Sequence, residues 1–273
     1  MIPWIEVAPN RQALAQAIEG LRIWQQVTDT AIVLVDRYDS AALVRIREQL
    51  PDARLIPSIR TSTFLRGQFD RVEGWHAIGV RAQEHCRLTG SKRVVLESES
   101  ALARYMSGDY QMNWDKLREG LEMLPKDILF LWYPAAAGPT RERYAEVCRC
   151  AQEAANVQLV DHLTLGMPGN VGSQRAAEGR KALTALGRRN PIMVIYCYGD
   201  KYWPFERIPE ALGLADGEEV ILYPGAARWV AAAQAMARLL PPFERGADGI
   251  SSPPAATAPS IPEKPAHAAD AGR

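Results

Sequence analysis

AIVLVDRYDSAALVRIREQLPDARLIPSIR, residues 31–60, holds the pattern on which the fold turns. Ala31–Asp36 (AIVLVD) is a run of β-branched and apolar residues, and Arg54–Arg60 (RLIPSIR) is a second one. Between them Ser40–Leu50 (SAALVRIREQL) spaces its apolar residues at a helical period. The stretch therefore predicts a strand, a helix and the next strand.

The same alternation extends in both directions. Strand-like runs also stand at Pro3–Ala8, Arg93–Glu97, Ile128–Tyr133, Val157–His162, Ile192–Tyr198 and Glu219–Tyr223, which makes eight. The amphipathic stretches are Arg11–Gln26, Ser40–Leu50, Gly74–Leu88, Asn113–Leu124, Thr140–Ala155, Ser173–Leu186 and Ala226–Leu240, with a shorter one at Phe205–Leu212 after the seventh run. In the fourth of these, Trp114, Leu117, Leu121 and Leu124 share one helical face, and Gly90 and Pro125 are stop signals.

The last 33 residues, Pro241–Arg273, contain seven prolines and eight alanines and almost nothing that could pack, so they read as a disordered tail. Residues 1–240 then divide into eight βα units of about 30 residues, close to the ~250 residues of a (β/α)8 barrel. The expected fold is a single-domain α/β (β/α)8 TIM barrel over residues 1–240 with a Pro/Ala-rich tail over 241–273. An open doubly wound sheet shares the alternation but carries a glycine-rich turn after its first strand, where this chain has Ala8-Pro9-Asn10-Arg11.

Composition narrows the function class. With 47% apolar and 23% charged residues the chain can bury a large core. Lys+Arg and Asp+Glu balance at 32 each, so nothing in the charge points to nucleic acid or an anionic membrane as partner. No apolar stretch reaches the ~18 residues of a membrane span, and MIPWIEVAPN lacks the basic and apolar regions of a secretion signal. A cytoplasmic protein is expected. Cys86, Cys148, Cys150 and Cys197 are too few for a disulfide scaffold and read as reduced small hydrophobes.

In a barrel the chemistry sits at the C-terminal strand ends. These are Glu6, Asp36-Arg37, Arg60-Thr61, Glu97-Ser98-Glu99, Trp132-Tyr133, Asp161-His162, Tyr198-Gly199-Asp200 and Tyr223-Pro224. Strand alternation points Glu97 and Glu99 the same way, with Cα atoms ~6.5–7 Å apart, so that mutual repulsion would keep one protonated beside an ionised partner. The competing reading pairs one or both with Lys or Arg on the rim. Acid/base cleavage of a glycosidic bond needs a second carboxylate, for which Asp200 is first choice, with Asp161, Asp36 and Glu6 in reserve.

Ten of the 21 aromatic residues fall at strand ends or in the loops after them, among them Tyr105, Tyr110, Trp132, Tyr133, Tyr198, Trp203 and Tyr223, which suits stacking against sugar rings. The expected substrate-binding set is Arg60, Trp132, Tyr133, Asp161, His162, Tyr198, Trp203 and Tyr223. Metal chemistry is not expected, since no His-x-His or His-Glu-x-x-His occurs. A carboxylate-rich magnesium or manganese site from Glu97, Asp161, Asp200 and His162 is the alternative. No cofactor is expected. Gly-x-Ser-x-Gly is absent, which leaves serine nucleophile chemistry without support.

Together these residues resemble the barrel glycoside hydrolases. Ser98-Glu99 is similar to the Asn-Glu pair of their largest clan, with serine for asparagine, and Glu97-Ser98-Glu99 is similar to the acidic-x-Glu ending of strand four in chitinase- and lysozyme-type barrels. The resemblance implies Glu99 as general acid/base, Asp200 as nucleophile or base in place of a strand-seven glutamate, and Glu97 tuning Glu99. Arg60, Tyr133 and Tyr198 would orient a small-molecule or oligosaccharide substrate. A metal-dependent sugar isomerase, epimerase or lyase is the second reading, and a non-catalytic carbohydrate-binding barrel the third.

Overall fold

The computed structural model of the chain describes residues 2–7, 10–35, 40–98, 110–134, 141–163, 192–196, 220–223 and 229–239. Within these, the side chains of residues 98, 133, 134, 141–145, 159–163, 192–196, 220, 223 and 229 are not described. The expected helices Ser173–Leu186 and Phe205–Leu212 and the tail from Pro241 lie outside the described residues.

Eight strands form in chain order: β1 (Ile2–Val7), β2 (Thr30–Val35), β3 (Arg54–Arg60), β4 (Arg93–Ser98), β5 (Leu129–Pro134), β6 (Val157–Leu163), β7 (Ile192–Tyr196) and β8 (Val220–Tyr223). Each pairs in parallel with its chain neighbour and β8 returns to β1, so the sheet closes into a (β/α)8 barrel. The described helices are α1 (Arg11–Trp24), α2 (Ser40–Gln49), α3 (Thr61–Leu65), α4 (Val72–Thr89), α5 (Trp114–Glu122), α6 (Arg141–Ala154) and α7 (Trp229–Leu239). The sequence places every strand to within two residues at either end. In the third unit it does not separate the one-turn α3, which opens directly from Arg60 and ends at Arg66 in the left-handed conformation.

Local chemistry sets the helix ends. Asn10 accepts a hydrogen bond from the Ala13 N–H at 2.8 Å, and Asn113 accepts one from the Lys116 N–H at 3.2 Å, each satisfying a donor that an unclosed first turn leaves over. Gly90 stops α4 at φ 74°, and its N–H reaches the Cys86 carbonyl at 2.8 Å.

Register decides which side chains face the barrel axis. Trp4 pairs with Ile32 and Ile32 with Ile56; Leu34 pairs with Ser58, Ser58 with Val95 and Val95 with Leu131. This parity lines the interior; it carries Glu6 beside Leu34 and, one step above Ser58 and Val95, Arg60 and Glu97. The alternate parity, Ile59, Leu96, Phe130 and Trp132, packs in one buried cluster with Trp75 and Ile78 of α4 and Leu117 of α5. Trp132 is the clear case: its ring stacks on Phe69 at 5.6 Å, and Phe69 meets Trp75 edge-on at 5.3 Å.

Candidate active site

The C-terminal end of β3 holds the one arginine around which the described mouth is organised. Arg60 Nη2 donates to Glu6 Oε1 at 2.7 Å, and Arg60 Nε donates to Glu97 Oε2 at 3.0 Å. Glu97 is the direct register partner of Arg60, so this contact follows from the β3–β4 pairing. Glu6 lies on β1, two strands away. Arg60 reaches it past Leu34 of β2, which the curvature of a closed barrel allows and a flat sheet at ~4.8 Å per strand makes a long reach.

The three side chains grade from open to enclosed, Arg60 being 27% exposed, Glu6 20% and Glu97 9%. Burial by itself works against the guanidinium charge. The charges of Glu97 and Glu6, with their hydrogen bonds, outweigh it and hold the Arg60 pKa above its usual value, so Arg60 stays cationic at any pH the fold survives. Among the described residues, two carboxylates thus face one guanidinium.

Backbone contacts fix the surroundings. Thr61, 1% exposed, donates its hydroxyl to the Glu97 carbonyl at 2.7 Å, tying the exit of β3 to the exit of β4. Opposite Ser98 on the other flank stands Pro134, which has no N–H to continue the ladder. Beyond the β4 exit the chain returns at Tyr110, whose hydroxyl hydrogen-bonds Asp70, and the Asn113 N–H donates to the same carboxylate at 2.8 Å. Asp70 lies between α3 and α4, so both ends of the β4–α5 connection are anchored on the β3–α4 segment.

Of the expected catalytic residues, Glu97 is in the mouth and is ion-paired with Arg60; Glu99 and Asp200 lie outside the described residues. Tyr198 and Trp203 do too. Among the expected substrate contacts, Arg60 lies at the mouth, paired with Glu6 and Glu97, while Trp132 needs correction. It is 0% exposed and stacked on Phe69 between sheet and helices, which leaves no ring face for a ligand. Adjacent strand residues point to opposite sides, and the sequence ending Trp132-Tyr133 does not say which is which. Tyr133 is the register partner of Glu97. His162 pairs with Val194, Asp161 with Met193, and Tyr223 with Tyr196.

Sequence reasoning held Glu6 only in reserve and passed over Thr61 as a polar contact and Ser58 entirely. Arg60-Thr61 at a strand end was the available signal for Thr61; nothing in one dimension tells that β1 and β3 share a cation. Among the described residues no three His, Cys, Asp or Glu side chains gather as a metal site. No lysine stands on any of the eight strands. No helix of the described residues is long and apolar enough to cross a membrane. Cys86, Cys148 and Cys150 are buried free thiols, as expected of small core hydrophobes.

No family model matches the chain, and neither does any curated protein. Among solved structures it is similar to a putative deoxyribose-phosphate aldolase from Toxoplasma gondii ME49, at a TM-score of 0.52 and 10% identity over 88% of this chain and 92% of that one. At that identity the likeness is one of fold, and it agrees with the closed barrel.

Proposed function

We propose that this barrel is an enzyme for a small polyhydroxylated carbonyl compound, and that it acts as a carbon–carbon lyase of the aldol type at the C-terminal mouth. The observation that carries the reading is Arg60 held between Glu6 and Glu97. In a retro-aldol step a base takes the proton of the hydroxyl β to a carbonyl. The bond between the α and β carbons then breaks, the β carbon leaves as an aldehyde, and the electron pair passes to the carbonyl oxygen as an enolate. Glu6, the more open carboxylate, suits the proton acceptor, and the permanently charged guanidinium suits the enolate oxygen. Returning the proton to the α carbon completes the balance.

Two further points favour this over glycosidic hydrolysis. Arg60 offsets the charge of Glu97 and so weakens the repulsion that was to keep Glu99 protonated. The similar barrel from Toxoplasma gondii also carries the description of an aldolase on a carbohydrate-type compound. Hydrolysis with Glu99 as acid/base and Asp200 as nucleophile is the second reading, favoured by the acidic ending Glu97-Ser98-Glu99 of β4.

Aldehyde release from 2-deoxyribose and its 5-phosphate is the direct measurement. Wild-type release that falls by about 10²–10³ in Arg60→Ala is expected, as for loss of an oxyanion donor. Aryl-glycoside hydrolysis that survives Arg60→Ala and disappears in Glu99→Gln would overturn the lyase reading in favour of the second.

A further inference from the structure

The immediate interior neighbours of the β3 residues below Arg60 are apolar: Trp4, Ile32, Leu34, Ile56, Val95 and Leu131 are each at most 4% exposed, with Glu6 beyond Leu34 in the same register row and Arg93 lower on β4. Ser58 itself is polar. It lies on β3 two residues before Arg60, on the same face, flanked in register by Leu34 and Val95. The residue is 0% exposed, and its hydroxyl oxygen has no hydrogen-bond partner among the described residues.

A buried hydroxyl without a partner is disfavoured by ~1–3 kcal/mol against an apolar residue of similar size. Alanine would serve the packing better at this position. The hydroxyl is useful there if its partner comes from outside the chain, and the only described polar groups above it on this face of β3 and β4 are those of the mouth, Arg60 and Glu97. Their Cα level is ~6.5–7 Å higher, roughly the length of an extended five-carbon chain. A charged group carried to this depth would lose its hydration among apolar side chains, whereas a neutral hydroxyl or carbonyl oxygen would gain a hydrogen bond in a dry setting.

We infer that Ser58 is the deepest substrate contact of the barrel, taking the neutral oxygen at one end of a small sugar-like compound whose reacting portion lies against Arg60. This rests on the reading of the mouth as the substrate site and adds its polarity: the carbonyl lies against Arg60, and the end that enters deepest is the uncharged hydroxyl end remote from it.

The test compares wild type with Ser58→Ala, using 2-deoxyribose, 2-deoxyribose 5-phosphate and ribitol as probes in thermal-shift and cleavage assays. The unliganded variant is expected to melt at or above the wild-type temperature, and its affinity for 2-deoxyribose and ribitol to fall about tenfold, one hydrogen bond's worth, while the 5-phosphate, charged at the deep end, binds neither protein well. A lower melting temperature shows that the hydroxyl already has an internal partner such as a bound water, and overturns the inference. Unchanged affinity overturns it as well, even if the wild type cleaves, in which case the lyase reading stands alone. Binding by wild type that weakens in Ser58→Ala without any cleavage upholds Ser58 and sinks the lyase. Absence of both binding and cleavage sinks the two together.

Discussion

Arg60 shows what a single residue contributes when its partners come from different strands. Its two carboxylates are partly shielded from water, so neither Glu6 nor Glu97 sits comfortably without the guanidinium. Lysine could supply the charge but not the planar fork that spans both. His85 is a residue-scale case of the opposite kind. It is 0% exposed on α4, and burial first, with Arg81 adding and Glu84 opposing, pushes its pKa from 6.5 down to about 4. The unfolded chain takes up a proton at this imidazole as pH falls through 6.5, while the folded chain resists until about 4. His85 therefore leaves stability intact above pH 6.5 and erodes it between 6.5 and 4, by up to ~1.4 kcal/mol per pH unit. Denaturant titrations of wild type and His85→Gln across that window are expected to show the shallower pH slope in the variant. At this scale the sequence made Glu97 and Arg60 visible, because strand ends are readable from apolar runs. It could not sort Trp132 from Tyr133, because parity depends on which face of β5 the neighbours cover.

Helices α4 and α5 show how elements meet. Gly120 of α5 lies against Trp75, and a Cβ there would fall 2.6 Å from Trp75 Cδ1 and 3.0 Å from its Cβ and Cγ. The indole is pinned from the other side, since its Nε1–H donates to the Phe69 carbonyl at 2.7 Å. Gly120→Ala gains helix propensity but forces the two helices apart, and a net loss of about 1–2 kcal/mol, seen as a fall in Tm of roughly 2–8 °C, is expected by calorimetry. Periodicity located α5 well, since Leu117 and Leu121 of its predicted apolar face are both buried. It missed α3, whose five residues are too few to show a period; that turn is held by its junction with β3 and by the Thr61 hydrogen bond to β4.

At the scale of the molecule, closure is uneven. Among the described residues, β1 and β8 pair at Ile2↔Ile221 and Pro3↔Leu222, whereas β4 and β5 pair over six positions from Arg93↔Leu129 to Ser98↔Pro134. Pro3 donates no N–H to the seam, and α1 and α7 pack together across it, with Leu21 and Met236 in one buried cluster. Hydrogen exchange is expected to open β1 and β8 before β4 and β5; equal protection of the two pairs would show that the helices, not the ladder, carry the seam. The sequence by itself determined the eight strands, their order with the described helices and the strand ends at which Arg60 and Glu97 stand, because hydrophobic period and stop signals are local. Only the tertiary structure decided that Glu6 and Glu97 share Arg60, that Trp132 belongs to the helix layer and that Ser58 lies beneath the mouth without a hydrogen-bond partner among the described residues. Those facts depend on closure and register, which bring residues together across strands and leave no mark in their spacing along the chain.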